Sequence, residues 1–234
     1  MPSTAGSAAA TAAMTRPSPE PPTPPDDAGW LVRFDRAERA AHWLMAVMFI
    51  VLILTGATLY VPQLVELIGR RRLVERVHVD VGLALPLPLV VTLAGPWGRA
   101  LRQDFRRLNR WTGDDRRWFR CLLRREPTYD LAVGKFNPGQ KLNASFTLGV
   151  LLVMLMTGSV MHWEYYWPLS WRTGATFVHE SLAYAFVAVV LGHVFMALTH
   201  PGALRSMITG RVTRRWAGRH APAWLAEAEG AEGP

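Results

Sequence analysis

Four apolar blocks constrain this chain more than any other feature of its sequence. A helix needs roughly 20 mostly apolar residues, each rising about 1.5 Å, to cross a bilayer. Blocks of that size lie at about 41–60 (AHWLMAVMFIVLILTGATLY), 78–97 (HVDVGLALPLPLVVTLAGPW), 143–163 (NASFTLGVLLVMLMTGSVMHW) and 177–199 (FVHESLAYAFVAVVLGHVFMALT). The first and third carry no formal charge, and the fourth carries only Glu180, near its start. The second holds Asp80 near its start together with Pro86, Pro88 and Pro96. Proline removes a backbone donor, but neighbouring helices in a membrane bundle re-satisfy the freed groups, so a kinked span is expected there. The fold expected is all-α, a four-helix membrane bundle.

Four spans leave both termini on one side, and the basic residues are distributed accordingly. Of the 26 Lys and Arg, four precede the first span, four lie in the first connection, twelve in the second, one (Arg172) in the third and five after the last. The side holding the termini therefore carries 21 and the other side five. The positive-inside rule places both termini and the long second connection in the cytoplasm of a bacterial inner membrane. This asymmetry also accounts for the net charge of +8 and removes the case for nucleic acid as a partner. A single cysteine, Cys121, excludes an intrachain disulfide, a CxxC redox pair, a zinc cluster and a Cys-held iron–sulfur cluster.

The domain expected spans 30–216. Residues 1–29 are rich in Ala and Pro (PSPEPPTPPDD), lack the apolar stretch of a signal peptide, and read as a disordered tail. Residues 217–234 read as a C-terminal cytoplasmic tail. Within the second connection, DDRRWFRCLLRRE opens with acids and closes with Arg, the order that complements a helix dipole. Trp118, Phe119, Leu122 and Leu123 share one face, flanked by Arg116, Arg117, Arg120 and Arg124. That pattern suits a short helix lying on an anionic lipid surface, and also one packed on a soluble partner.

Six of the seven histidines, His42, His78, His162, His179, His193 and His200, lie within or at the edge of a span; His220 does not. Ionisable groups at membrane depth are costly and mark functional sites. His179 and His193 are 14 residues apart on the fourth span. At helical pitch this is about 21 Å along the axis and about 40° around it, so one face presents both. No single ion bridges that distance, but two stacked cofactors would each meet one ligand. Matching depths pairs His42 with His193 towards the cytoplasm and His78 with His179 towards the periplasm. His162 competes for the outer site and His200 for the inner, but both sit at the boundary, where imidazole can rest among headgroups. Gly82 and Ala183, four residues after His78 and His179, and Gly192 beside His193 leave room for a flat macrocycle. With no CxxCH run for covalent attachment, the expectation is two b-type haems, each held by two histidines.

FDRAERAAHW before the first span, RVHVDVG opening the second, GKFNPGQK leading into the third, the His179 to His193 spacing and GALRSMITGRVTRRWAGRHAPAW after the fourth together resemble the cytochrome b (gamma) subunits of respiratory formate dehydrogenases. The likeness covers about 30–225. The histidine spacing alone is similar also to cytochrome b subunits of nickel–iron hydrogenases and thiosulfate reductases. The resemblance implies the same haem ligands, His42 with His193 and His78 with His179, and a quinone site lined by Asn137, Gly139 and Gln140. It implies an iron–sulfur beta subunit and a molybdenum or tungsten pterin alpha subunit as partners, and electrons carried inward from formate to quinone. Asn and Gln amides can hydrogen-bond a quinone carbonyl, and Gly admits close backbone approach; taken alone, Asn137 and Gln140 equally suit the cap of the third span. Asp80, Glu180 and Pro138 depart from the family pattern. A hydrogenase or another molybdoenzyme as partner, and a haem-free anchor or small transporter using its histidines for packing or proton transfer, are the alternative readings.

The charge count makes a direct prediction. In a Cys121→Ser background, Arg172→Cys is expected to react with a membrane-impermeant thiol reagent from the periplasmic side only; labelling confined to the cytoplasmic side would invert the topology.

Overall fold

The computed structural model describes residues 29–126 and 131–231, so all but Gly29 of the expected N-terminal tail lies outside the described residues. In chain order the elements are β1 (Trp30–Val32), α1 (Arg36–Tyr60), α2 (Pro62–Ile68), α3 (Arg71–Ala84), α4 (Leu87–Ala94), α5 (Arg99–Asn109), α6 (Gly113–Arg124) and α7 (Pro138–His162). After a 3₁₀ turn at Glu164–Tyr166 follow α8 (Leu169–Thr199), α9 (Pro201–Thr209), β2 (Arg211–Thr213), α10 (Arg214–His220) and α11 (Pro222–Ala231).

Four of these units are long and apolar enough to cross a membrane: α1, the joined α3 and α4 from Arg71 to Ala94, α7, and α8. The protein is a membrane four-helix bundle. Its outward side chains are apolar and unburied; Leu54, Leu152 and Leu191 are 62%, 57% and 66% exposed. Such a surface is intolerable in water but matches hydrocarbon, which needs only that backbone groups be satisfied within each helix. The second span starts at Arg71, earlier than its hydropathy suggests, and breaks at Leu85–Pro86. Pro86 cannot donate, and α4 restarts with the Val90 amide bonded to the Pro86 carbonyl at 3.0 Å. The fourth span also starts early, at Leu169, just after Pro168, with Arg172 paired to Glu164 at 2.8 Å.

Polar side chains define the ends of the spans. Asp35 caps α1 in a reciprocal box: its Oδ1 accepts from the Glu38 amide, and Glu38 Oε2 accepts from the Asp35 amide, both at 2.7 Å. At the end of α4, Arg102 of α5 donates to the Leu93 carbonyl at 2.6 Å and the Gly95 carbonyl at 3.1 Å, satisfying two of the carbonyls freed there.

Outside the bundle, β1 and β2 form a two-stranded antiparallel ribbon with Leu31 opposite Val212. These two side chains, with Ala217, Ala221 and Trp224, make a small buried core. The sequence boundary at 216/217 thus falls inside α10, and residues beyond it are packed against the ribbon. Three-residue strands are too short to show the alternation by which strands are recognised in sequence.

Buried charges join this cap to the spans. Lys135, just before α7, pairs with Asp104 of α5 and lies 3.9 Å from Glu38 of α1. Arg33 donates to the Lys135 carbonyl at 2.9 Å and to Ser206 Oγ at 3.3 Å. Lys141 of α7 donates to both Asp115 oxygens at 2.9 Å and to the Arg110 carbonyl at 2.9 Å. The expected amphipathic helix is α6. Its Asp115 and Cys121 are buried, while Leu122 and Leu123 project outward, 57% and 85% exposed, as a lipid-facing pair would.

Two outcomes follow from these pairs. Lys135→Met leaves the buried Asp104 carboxylate with Arg107 alone, 2.9 Å from its other oxygen, and is expected to cost about 1–3 kcal/mol, measured by thermal unfolding in detergent. Burial alone would raise the Asp115 carboxyl, but hydrogen bonds from Lys141 and the Thr112 amide outweigh it and hold it below the ordinary carboxylate range. The folded value is lower than the unfolded one, so the stabilisation is present at neutral pH and fades as pH falls through the depressed value. Acid titration of the melting temperature is expected to show this loss in the native sequence and a smaller one in Asp115→Asn.

Candidate haem sites

The helix α8 carries His179 and His193, and each faces a histidine from a different helix. His193 meets His42 of α1 with ring centroids 6.3 Å apart and planes at 48°. His179 meets His78 of α3 with centroids 6.4 Å apart and planes at 64°. Two imidazoles held on opposite sides of one metal, each by a bond of about 2 Å, place their ring centres about 6 Å apart. Both pairs have that spacing, so the residues present fit a six-coordinate iron at each level. These are the pairs that depth alone suggested.

Between the two levels lies an aromatic contact. Phe49, seven residues after His42, and Phe186, midway between His179 and His193, pack with centroids 4.6 Å apart and planes tilted at 45°. Phe186 is buried. The contact fills the bundle at mid-height and keeps the two histidine sites separate.

The surroundings of the two pairs differ. His78 Nδ1 lies 2.8 Å from Thr55 Oγ1, and His179 Nδ1 lies 2.9 Å from Thr157 Oγ1. A Cβ added at Gly56 or Gly158, the residue after each threonine, would come within 3.4 Å of His78 Cε1 or 3.3 Å of His179 Cε1. The rings therefore rest directly on helix backbone. His42 Nδ1, by contrast, is buried without a hydrogen-bond partner among the described residues. Sequence reasoning missed all four of these residues. The available signal was a Thr-Gly dipeptide in both the first and third spans, LTGATL and MTGSVM.

The small residues singled out from sequence behave differently. Gly82 meets only Leu52, at ordinary contact distance, and Gly192 faces open space. The competing histidines join neither pair. His162 lies edge-on to Trp163, His200 Nδ1 is 2.9 Å from the Met196 carbonyl at the end of α8, and His220 packs on Trp216. Asp80 and Glu180 are exposed.

Asn137 is the N-cap of α7. Its Oδ1 accepts from the Gln140 amide at 2.9 Å, and Gln140 Oε1 accepts from the Asn137 amide at 3.1 Å. The capping reading of these residues is thus observed. The cap uses their carbonyl oxygens, and among the described residues each side-chain NH₂ keeps its donors. An added Cβ at Gly139 would approach Asn137 Oδ1 at 3.3 Å and the Trp118 ring of α6 at 3.6 Å, which leaves little room for a larger residue.

A four-helix membrane bundle with facing histidine pairs at two depths defines a membrane cytochrome of the b type. The chain belongs to the prokaryotic cytochrome b561 family, whose model matches residues 33–210. It is 26% identical over 211 residues to the cytochrome b556(Fdn) subunit of the nitrate-inducible formate dehydrogenase of Escherichia coli K12, covering 86% of this chain and 93% of that protein. Similarity to the cytochrome b556(fdo) subunit of formate dehydrogenase from the same strain is 28% identity over 207 residues, covering 84% and 92%. The Haemophilus influenzae formate dehydrogenase cytochrome b556 subunit is 24% identical over 207 residues, covering 84% and 83%.

Proposed function

We propose that this chain is the di-haem b subunit of a membrane-bound formate dehydrogenase, carrying electrons from a periplasmic-side iron–sulfur subunit to quinone near the cytoplasmic face. The observation that supports it most is the single face of α8 presenting His179 and His193, each opposed by a histidine from another helix at ligand spacing. Haem b, when bound, would supply reversible one-electron exchange at iron, and the two histidine pairs would hold it at two depths along α8.

What this chain's own residues do follows from their chemistry. His42 with His193 and His78 with His179 would each hold one haem iron through neutral imidazole nitrogens. Phe49 and Phe186 exclude water between the sites. Asn137 and Gln140 offer their NH₂ groups to a quinone carbonyl, and Gly139 keeps the approach open, while the N-cap they share holds them at the mouth of α7. The protons taken up by the quinone come from the cytoplasmic side. The exposed Leu122 and Leu123 of α6 dip into the lipid of that face. The partner enzyme is assigned from the formate dehydrogenase subunits among the relatives, and co-purification with formate-oxidising activity tests it.

Purified in mild detergent, the protein is expected to show b-type bands on dithionite reduction and two haems per chain by the pyridine haemochrome assay. His193→Ala and His78→Ala are each expected to lose one. Absence of b-type bands, or retention of both haems in either variant, would sink the ligand assignment. Asn137→Ala is expected to lower quinone reduction with both haems still reducible, and to cost about 1 kcal/mol of stability through the lost cap.

A further inference from the structure

We propose that Thr55 and Thr157 are positioning residues that set the tautomer and donor strength of the His78/His179 pair, making it the lower-potential of the two haem sites. The inference rests on the di-haem reading above and adds a direction to it.

The hydrogen bonding determines which atom holds the proton. Thr55 Oγ1 lies 2.7 Å from the Val51 carbonyl one turn back and 3.2 Å from that of Leu52; Thr157 Oγ1 lies 2.8 Å from the Val153 carbonyl and 3.3 Å from that of Met154. A carbonyl can only accept, and a threonine hydroxyl has one proton to give. Each hydroxyl therefore donates backwards along its own helix and offers a lone pair forwards. With the hydroxyl proton so engaged, the contacts at 2.8 and 2.9 Å assign the imidazole as donor and place the proton of His78 and His179 on Nδ1. Nε2 is left bare and available to iron at both positions. The same device arrives from two helices, α1 for His78 and α7 for His179, and Gly56 and Gly158 let each ring lie close against the backbone behind its threonine.

A hydrogen bond accepted from the far nitrogen makes an imidazole a stronger electron donor to its metal. Stronger donation favours oxidised iron and lowers the potential of the site. At the other site, His42 Nδ1 has no such acceptor among the described residues. The two pairs have the same ligands at nearly the same spacing, so the difference lies in what stands behind them. It points electrons from the His78/His179 site towards the His42/His193 site and the Asn137 end of α7. Asp80 and Glu180, next to the first pair in sequence, act in the same sense where ionised, and a threonine substitution leaves them untouched.

The experiment is a potentiometric titration of the purified holoprotein, following the reduced haem absorption, for the native sequence and for Thr55→Val, Thr157→Val, their combination, and the corresponding serine variants. Valine keeps the branched shape and removes the hydroxyl; serine keeps the hydroxyl. The lower-potential step is expected to move upward in each valine variant and further in the double variant, with the upper step unmoved and the serine variants close to native. Loss of one haem in the valine variants with retention in the serine variants supports the same role. A lower step that stays in place in a fully loaded double valine variant overturns the proposal, as does movement of the upper step instead, or equal loss of haem with serine and valine. One haem per chain in the native protein would mark failure of the di-haem reading itself, which separates the two outcomes.

Discussion

A bilayer core supplies no hydrogen-bonding solvent, and the spans on which the rest of this protein is built answer to that constraint. Backbone amides and carbonyls must be satisfied within their own segment, so the chain crosses as helices. Lipid tails are as apolar as leucine, so exposed Leu54, Leu152 and Leu191 cost nothing and contribute nothing to association. Helix pairing then falls to packing contacts such as Phe49 on Phe186 and to the few polar contacts available, chief among them the threonine–histidine bonds from α1 to α3 and from α7 to α8. The polar groups that position the ligands are therefore also groups that register the helices.

Outside the membrane the logic changes, and charge takes over. Lys135 with Asp104 and Glu38, and Lys141 with Asp115, tie the second connection to the ends of α1 and α7. A lysine and a carboxylate buried together lose solvation that only good geometry offsets. What they achieve here is placement, because Asn137, Gly139 and Gln140 lie between the two lysines. The ribbon of β1 and β2, closed by Ala217 of α10, Ala221 at the turn after it and Trp224 of α11, joins the segment entering α1 to the segment leaving α8 at the same end. Both helices carry a ligand of the His42/His193 pair, so the cap braces that site from outside.

Much of this was legible in the sequence because its signals are local. Hydropathy located four spans, and Pro86 announced the break in the second. The 14-residue interval in α8 put two histidines on one face, and depth matched each to its partner across the bundle. The start of α3 at Arg71 escaped notice because its first turns are charged, and the ribbon because its strands are three residues long. Gly82 and Gly192 were singled out for their nearness to histidines in the chain, whereas Gly56 and Gly158 touch the rings from 22 and 21 residues away in sequence. Asn137 and Gln140 suited two roles on paper; the structure shows the cap, made through their carbonyl oxygens.

By itself the sequence determined how many stretches are long and apolar enough to cross, how the basic residues divide between their connections, and which histidines share a depth. Each of these depends on the length of a run or the period of a helix. Only the tertiary structure decided how the helices are rotated about their axes. That rotation puts Thr55 behind His78 and Thr157 behind His179 while leaving His42 Nδ1 without an acceptor among the described residues. A hydrogen bond between helices needs two side chains at matching heights and facing angles. Height can be read along the chain, but facing angle is set by packing.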